Sequence, residues 1–172
     1  MIPTCARALG AAMAASLSVF APQIAAAADF AAAEERDGKF FTANETPTFS
    51  VADDGTVDWY TFSGFRRYHS ECHVCHGPDG EGSSYAPALK ESALNLGYWD
   101  FVAVVASGRQ VVDAADNQVM PAFGLNKNVM CYVDDIYTYL LARGAEAIPR
   151  GRPAKRAAKP ASFVEAENAC MQ

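Results

Sequence analysis

The sequence predicts an all-α domain in which three or four short helices are joined by long loops. Three stretches of the 172 residues place apolar side chains at spacings of three and four, which is the period of an amphipathic helix. The stretches between them are rich in Gly, Pro, Ser and Asn and have little apolar surface of their own. Such a domain needs something large, flat and apolar to pack around, so the sequence must also contain the residues that hold it.

The three helices are expected over residues 57–70, 98–107 and 129–142. The last has the clearest pattern, because its apolar side chains form one stripe and its acidic side chains another. Asn128 is the expected N-cap of this helix and Gly144 its expected stop. Gly108 is placed to end the second helix.

The remaining stretches are predicted to lack regular structure. Residues 77–97 and 109–127 are expected to be loops, and residues 29–55 an extended lead-in that lies against the core. The stretch from Arg150 to Lys159 contains five basic residues and no acidic residue, and is predicted to be mobile because it cannot bury a core.

The first 28 residues are typical of a cleavable secretory signal. Arg7 is the only charge before Asp29, and the apolar run that follows it ends at Pro22, short of the roughly 20 residues that a membrane span needs. No later stretch is apolar enough to cross a bilayer, so we expect an exported, periplasmic protein. The chain then divides into a signal peptide at 1–28, an irregular extension at 29–56, a helical domain at 57–142 and a basic tail at 143–172.

Charge is unevenly distributed along the exported part. Residues 29–142 contain 7 basic and 17 acidic side chains, whereas residues 143–172 contain 6 basic and 3 acidic ones. An acidic body argues against nucleic acid as a partner, because phosphates are bound by Lys and Arg. It fits a protein that meets its partners through charge steering.

The run Cys72-His73-Val74-Cys75-His76 is, in an exported protein, the attachment pattern of a c-type haem. The two thiols add to the vinyl groups of one porphyrin edge, and His76 then lies beneath the iron as an axial ligand. Other interpretations lack support: a thioredoxin-like dithiol needs a βαβ setting, a zinc site needs a second ligand pair at short spacing, and a Cys72–Cys75 disulfide leaves His76 without a role. We therefore predict one covalently attached haem c.

A sixth iron ligand is expected from Met120, which lies in a predicted loop. Pro121 restricts the backbone of Met120 to extended conformations, which helps to present the thioether. Met130 is the alternative methionine, and the nearby histidines are His69 and His73. A His/Met iron has both axial sites closed, which predicts an electron carrier and not an enzyme. An open iron would instead indicate a haem enzyme or a gas sensor.

Three further residues are predicted around the haem. The carbonyl of Pro87 is placed to accept the second ring N–H of His76, although Pro87 also fits a simple turn. Trp99 and Arg109 are candidates for hydrogen bonds to the haem propionates, and Arg109 is the better of the two because guanidinium suits carboxylates. The alternative for Arg109 is a solvated surface side chain.

Four cysteines remain after export, and two of them, Cys131 and Cys170, lie outside the haem motif. In an oxidising compartment an even pair indicates a disulfide, which would tether the basic tail to the last helix. Closing a loop of about 40 residues contributes about 4 kcal/mol to the free energy of unfolding in the chain-entropy model. Two unpaired thiols are the alternative.

The residues of 57–142 resemble those of class I cytochromes c. Gly64 and Tyr68 match the small and aromatic positions where the first and last helices of that family cross, and Ile136, Tyr139 and Leu140 match their partners. Residues 86–89, Ala-Pro-Ala-Leu, match the segment that supports the haem histidine in the family. The resemblance implies the class I cytochrome c fold.

A narrower resemblance indicates a partner. The cytochromes c of methanol metabolism, which include cytochrome cL, are similar to this chain at residues 98–101, 107–109, 119–124, 127–137 and 149–153. The run Asn128-Val129-Met130-Cys131-Tyr132 is the most specific part. The resemblance implies that a pyrroloquinoline-quinone (PQQ) alcohol dehydrogenase donates electrons, and that another cytochrome or a terminal oxidase accepts them. A different periplasmic dehydrogenase is the alternative donor.

Overall fold

The computed structural model describes residues 30–112 and 117–172. The expected signal peptide at 1–28 lies outside these residues. Within them, no helix combines the length and the apolar character that crossing a membrane requires.

The N-terminal extension forms a small antiparallel sheet where an irregular segment was expected. Its strands are β1 (Glu34–Arg36), β2 (Lys39–Phe41) and β3 (Pro47–Thr48), in the order β1-β2-β3. Strands of two or three residues are too short to show the alternation of polar and apolar side chains on which prediction depends. The sheet lies against the core as expected, because Lys39 pairs with Asp134 on the last helix of the domain.

A first long helix, α1 (Trp59–Glu71), follows the short strand β4 (Thr56–Val57). Asp58 caps it: one carboxylate oxygen accepts the Thr61 N–H at 2.8 Å, and the other accepts the Ser50 N–H at 2.9 Å. The two bonds begin the helix and fix the chain that enters it. Helix α1 is followed at once by the single turn α2 (His73–His76).

Residues 77–97 contain two ordered elements where a loop was expected. A 3-10 turn spans Pro78–Gly80, and helix α3 spans Leu89–Asn95. The glycines and prolines between residues 77 and 87 predict a loop and hide the start of α3. The sequence of α3 itself is composed largely of good helix formers, Leu-Lys-Glu-Ser-Ala-Leu-Asn. Helix α4 (Tyr98–Ser107) follows, with the predicted bounds, and Gly108 occupies its C-cap.

Residues 109–127 also differ from the expected loop. Strands β5 (Arg109–Val112) and β6 (Asn117–Met120) form an antiparallel hairpin in which Arg109 lies opposite Met120. Met120 therefore ends a strand and does not sit in a loop. The hairpin alternates weakly in polarity and is largely exposed where its side chains are described, so hydrophobic periodicity gives no signal for it.

The predicted last helix is two elements, the single turn α5 (Lys127–Met130) and helix α6 (Val133–Gly144). The N-cap is Asn126 and not the predicted Asn128. The side-chain oxygen of Asn126 accepts the N–H of Asn128 at 2.9 Å, at the start of α5. Gly144, the expected stop, is the last residue of α6.

Helices α1 and α6 cross at Gly64, and this crossing is the centre of the fold. A Cβ at Gly64 would lie 1.8 Å from the carbonyl oxygen of Asp135, so only glycine allows this approach. The core around the crossing is largely aromatic and aliphatic, and its most deeply buried side chains include Val57, Tyr68, Val129, Tyr139, Leu140 and Leu141.

The basic tail is ordered, contrary to the prediction of mobility. Strand β7 (Lys155–Arg156) pairs in parallel with β4, and helix α7 (Ala161–Met171) packs on the core. The guanidinium groups of Arg152 and Arg156 lie 5.1 and 5.0 Å from the centre of the Phe62 ring. Long basic side chains thus cover apolar surface through cation–π contacts, which a count of charges along the sequence does not reveal.

Candidate haem site

The Cys-x-x-Cys-His residues occupy one turn of helix directly after α1. The N–H of Cys72 still bonds to the carbonyl of Tyr68 at 2.9 Å, and the N–H of His76 bonds to the carbonyl of Cys72 at 3.1 Å. Gly77 ends the turn with a φ of 73°, and a Cβ there would lie 2.1 Å from the carbonyl oxygen of Gly82. The turn brings both thiols and the imidazole onto one short segment.

Cys72 and Cys75 are free thiols, the first partly buried and the second exposed. Burial raises the pKa of the Cys72 thiol to about 12. A dithiol oxidoreductase needs a lowered cysteine pKa, because the thiolate is the nucleophile. The environment of Cys72 therefore does not suit thiol–disulfide catalysis.

The imidazole of His76 is buried and oriented by a carbonyl group. Its Nδ1 lies 2.9 Å from the carbonyl oxygen of Pro87. Because a carbonyl only accepts, Nδ1 carries the proton and Nε2 is the ring nitrogen with a free lone pair. The structure thus brings Pro87 and His76 together and leaves Nε2 available to a metal.

Tyr68 supports the turn from the adjacent face of α1. Its hydroxyl donates to the carbonyl of Gly77 at 2.6 Å and accepts the N–H of Gly80 at 3.1 Å. Burial raises the pKa of Tyr68, so the phenol remains neutral and can donate. The sequence assigned Tyr68 to helix packing only, because hydrogen bonds to backbone groups leave no mark in a sequence pattern.

Arg143, near the end of α6, is a further residue that the sequence did not single out. Its buried guanidinium donates to Glu81 at 2.8 Å and to the carbonyl of Ile148 at 2.6 Å, and its Nε lies 3.4 Å from the carbonyl of Asp79. Glu81 also pairs with Lys90 at 2.7 Å. This network fixes the loop between His76 and Pro87 to the last helix of the domain.

Met120, the predicted second ligand, is partly buried and packs against the hydrophobic core from the end of β6. Gly108 allows the hairpin to close onto α4, because a Cβ there would lie 2.6 Å from the carbonyl oxygen of Met120. Met130, the alternative methionine, lies on α5 and is also partly buried.

The other candidates occupy different surroundings. Nδ1 of His69 lies 2.8 Å from the carbonyl of Phe65, and its ring stacks on His73 at 5.8 Å between centres. Trp99 is 74% exposed on α4, with its ring edge-on to Tyr98, and Arg109 is exposed at the start of β5. The role of Trp99 and Arg109 toward the propionates stays a prediction.

Cys131 and Cys170 form a disulfide with a Cα–Cα distance of 5.7 Å. This confirms the predicted pairing and leaves Cys72 and Cys75 as the free thiols of the described residues. Two free thiols, an imidazole with one available nitrogen and a thioether are the donor set of a c-type haem, so the residues present fit that group.

Comparisons with known proteins find c-type cytochromes among the relatives of this chain. No family model matches the chain. The chain is 62% identical to cytochrome c-553I of Paracoccus denitrificans over 78% of its own length, and spans 60% of the length of that relative. It is 39% identical to cytochrome c-555 of Methylococcus capsulatus over 61% of its length and 76% of the relative. The crystal structure of the c-type cytochrome XoxG from Methylobacterium extorquens AM1 matches with a TM-score of 0.78 and 52% identity, over 84% of this chain and 89% of that one.

Proposed function

The chain belongs to the c-type cytochromes, and from that premise we propose that it is a periplasmic carrier of single electrons. Proteins of this family carry covalently attached haem c. The observation that carries the proposal is the turn at residues 72–76, in which the Pro87 carbonyl holds His76 with Nε2 free. When bound, the haem iron supplies a reversible one-electron couple whose potential depends on its ligands.

Each residue of the site has a distinct task in this proposal. Cys72 and Cys75 would hold the porphyrin through thioethers, and His76 and Met120 would hold the iron. The Pro87 carbonyl orients the imidazole and raises its basicity. With Met120 bound, water and small ligands would be kept from the iron. The protein then exchanges electrons and performs no chemistry on a substrate.

We propose a PQQ alcohol dehydrogenase of the methanol type as the donor, and another cytochrome or a terminal oxidase as the acceptor. The segments of similarity to the cytochromes of methanol metabolism support the donor, in particular residues 128–132. The acidic body supports encounters that are steered by charge, since redox partners of this kind meet through small and transient interfaces.

Stopped-flow reduction of the oxidised holoprotein tests the donor. A purified PQQ methanol dehydrogenase with its alcohol should reduce the haem much faster than an unrelated periplasmic dehydrogenase at the same concentration. Equal rates with both donors would contradict the proposed partner, while leaving the assignment of an electron carrier in place.

A further inference from the structure

The chain that follows Met120 packs on the core through the partly buried Phe123, and its other side chains up to Leu125 are exposed. Leu125 is fully exposed, and the middle of the segment is attached to α4 by backbone hydrogen bonds from the N–H groups of Phe123 and Gly124, 3.0 and 2.9 Å long. Segments with few buried apolar contacts and exposed hydrogen bonds open locally at low free-energy cost. The pairing of Met120 with Arg109 in the β5–β6 hairpin holds it from one side, and the element that follows residues 121–126 holds it from the other.

That next element, residues 127–132, is held by helix α7. The disulfide joins Cys131 to Cys170 near the end of α7. One helical turn earlier, Glu167 accepts a hydrogen bond from the hydroxyl of Tyr132 at 2.7 Å. Two adjacent residues are thus attached to one helix by a covalent bond and by a charge-assisted hydrogen bond.

The carboxylate of Glu167 also gathers two cations. Lys159 donates to it at 2.6 Å, and the guanidinium of Arg67, on α1, lies 3.5 Å from it. The same guanidinium lies 3.5 Å from the centre of the Tyr132 ring. The hydrogen bond from Lys159 is the largest of the contacts that lower the pKa of Glu167, so the carboxylate is charged at neutral pH.

Helix α7 is itself fixed to the core. Phe163 is buried, and its ring lies edge-on to Trp59 at 5.6 Å and to Tyr60 at 5.2 Å between centres. Because Phe163 fixes α7 to the core, the contacts of Glu167 and Cys170 can restrain residues 131 and 132.

We propose that α7 is a clamp on the chain that carries Met120, with Glu167 and the Cys131–Cys170 disulfide as its positioning residues. The clamp keeps residues 123–132 seated on α1 and α4, and so would limit how often Met120 leaves the bound iron. This inference rests on the proposed role of Met120 as a ligand. The local opening of residues 123–132 can still be measured whether or not Met120 binds the iron.

Amide hydrogen exchange on the ascorbate-reduced holoprotein tests the clamp. Glu167→Gln should accelerate exchange at Phe123 and Gly124 about fivefold, since it weakens a hydrogen bond to a charged group. Glu165→Gln is the matched control, because Glu165 is exposed on the same helix. It should leave both rates unchanged. The amides of Ser92 on α3 and of Leu96, the C-cap of α3, should keep their protection in either variant.

A second variant removes the covalent part of the clamp. Replacing both Cys131 and Cys170 by Ser should accelerate exchange at Phe123 and Gly124 more than Glu167→Gln does. It should also speed the displacement of Met120 by added imidazole. Unchanged exchange at these amides in both variants, or an equal acceleration on α3, would overturn the clamp. A wild type without methionine ligation would instead contradict the proposed axial ligand, and the exchange rates would still decide the clamp.

Discussion

Asp135 is a carboxyl group buried at the crossing of α1 and α6. One of its side-chain oxygens has no hydrogen-bond partner among the described residues. Burial raises the pKa of Asp135 to about 8, and this outweighs the opposing hydrogen bond from Ser63. The group therefore keeps its proton at neutral pH, because a charge without a partner is costly in a dry interior.

The titration of Asp135 predicts the direction in which stability changes with pH. The folded protein binds this proton more tightly than the unfolded chain, whose carboxyl has a pKa near 3.8, so the contribution of Asp135 to stability falls as the pH rises from about 4 to about 8. Asp135→Asn removes that dependence. Its free energy of unfolding relative to wild type should rise between pH 5 and pH 9 in denaturant titrations.

Asp53→Asn is the control for this prediction, because it makes the same change of side chain at an exposed position away from the α1–α6 crossing. A constant difference between Asp135→Asn and wild type across this range would show that Asp135 is already ionised at pH 5.

The proposed role of Met120 as an iron ligand is tested by replacing it with alanine. Met120→Ala should abolish the near-infrared sulfur-to-iron band of the oxidised protein and let carbon monoxide bind the reduced iron, because the sixth position is opened. Met130→Ala, the matched methionine control on α5, should retain the band. Survival of the band in Met120→Ala would mean that another residue is the ligand.

The residues of the site differ in how far the sequence could indicate them. The turn at 72–76 is a contiguous motif whose chemistry explains its spacing, so it is readable directly. Arg143 acts through Glu81, at a separation of 62 residues, and nothing local marks that contact. Pairings of this kind depend on the fold and become visible only with it.

The α1–α6 crossing is the element on which the fold depends most. Gly64→Ala places a Cβ 1.8 Å from a backbone oxygen that cannot move independently of α6. We expect a loss of about 3 kcal/mol or more in the free energy of unfolding, measured by denaturant titration, since overpacking here must separate two helices.

Gly97→Ala is the matched control for the crossing. Gly97 precedes α4 with a φ of −59°, and the nearest atom to a Cβ there is 4.0 Å away. Its replacement should cost no more than about 1 kcal/mol, the range of an N-cap change. A similar small loss for Gly64→Ala would mean that the two helices do not approach as closely as described.

At the scale of elements, the sequence predicted the class I cytochrome c fold correctly. It located α1, α4 and α6 because 10 to 13 residues give helical periodicity room to appear. It missed the β5–β6 hairpin and the N-terminal sheet, whose strands of two to four residues are defined by pairing. It did not predict that the tail is ordered, because the tail is held by a disulfide, a strand pairing and cation–π contacts.

Charge is the property of the whole molecule that bears most on function. The body is strongly acidic, so the exposed surface should attract cationic reagents and repel anionic ones. Oxidation of the reduced protein by tris(phenanthroline)cobalt(III) should slow as salt is added, whereas oxidation by ferricyanide should accelerate. Stopped-flow rates from 10 mM to 500 mM salt check this. The opposite pair of slopes would mean that the basic tail, and not the acidic body, governs the approach to the haem.

The proposed molecule is a monohaem carrier whose iron would be held by His76 and Met120. A spectroelectrochemical titration of the purified holoprotein under carbon monoxide tests this most directly. We predict one haem per chain, retained after acid–acetone extraction, that titrates as a single one-electron wave with no carbon monoxide adduct in the reduced form. A carbon monoxide adduct of the native reduced protein, or a haem that is extracted, would contradict it.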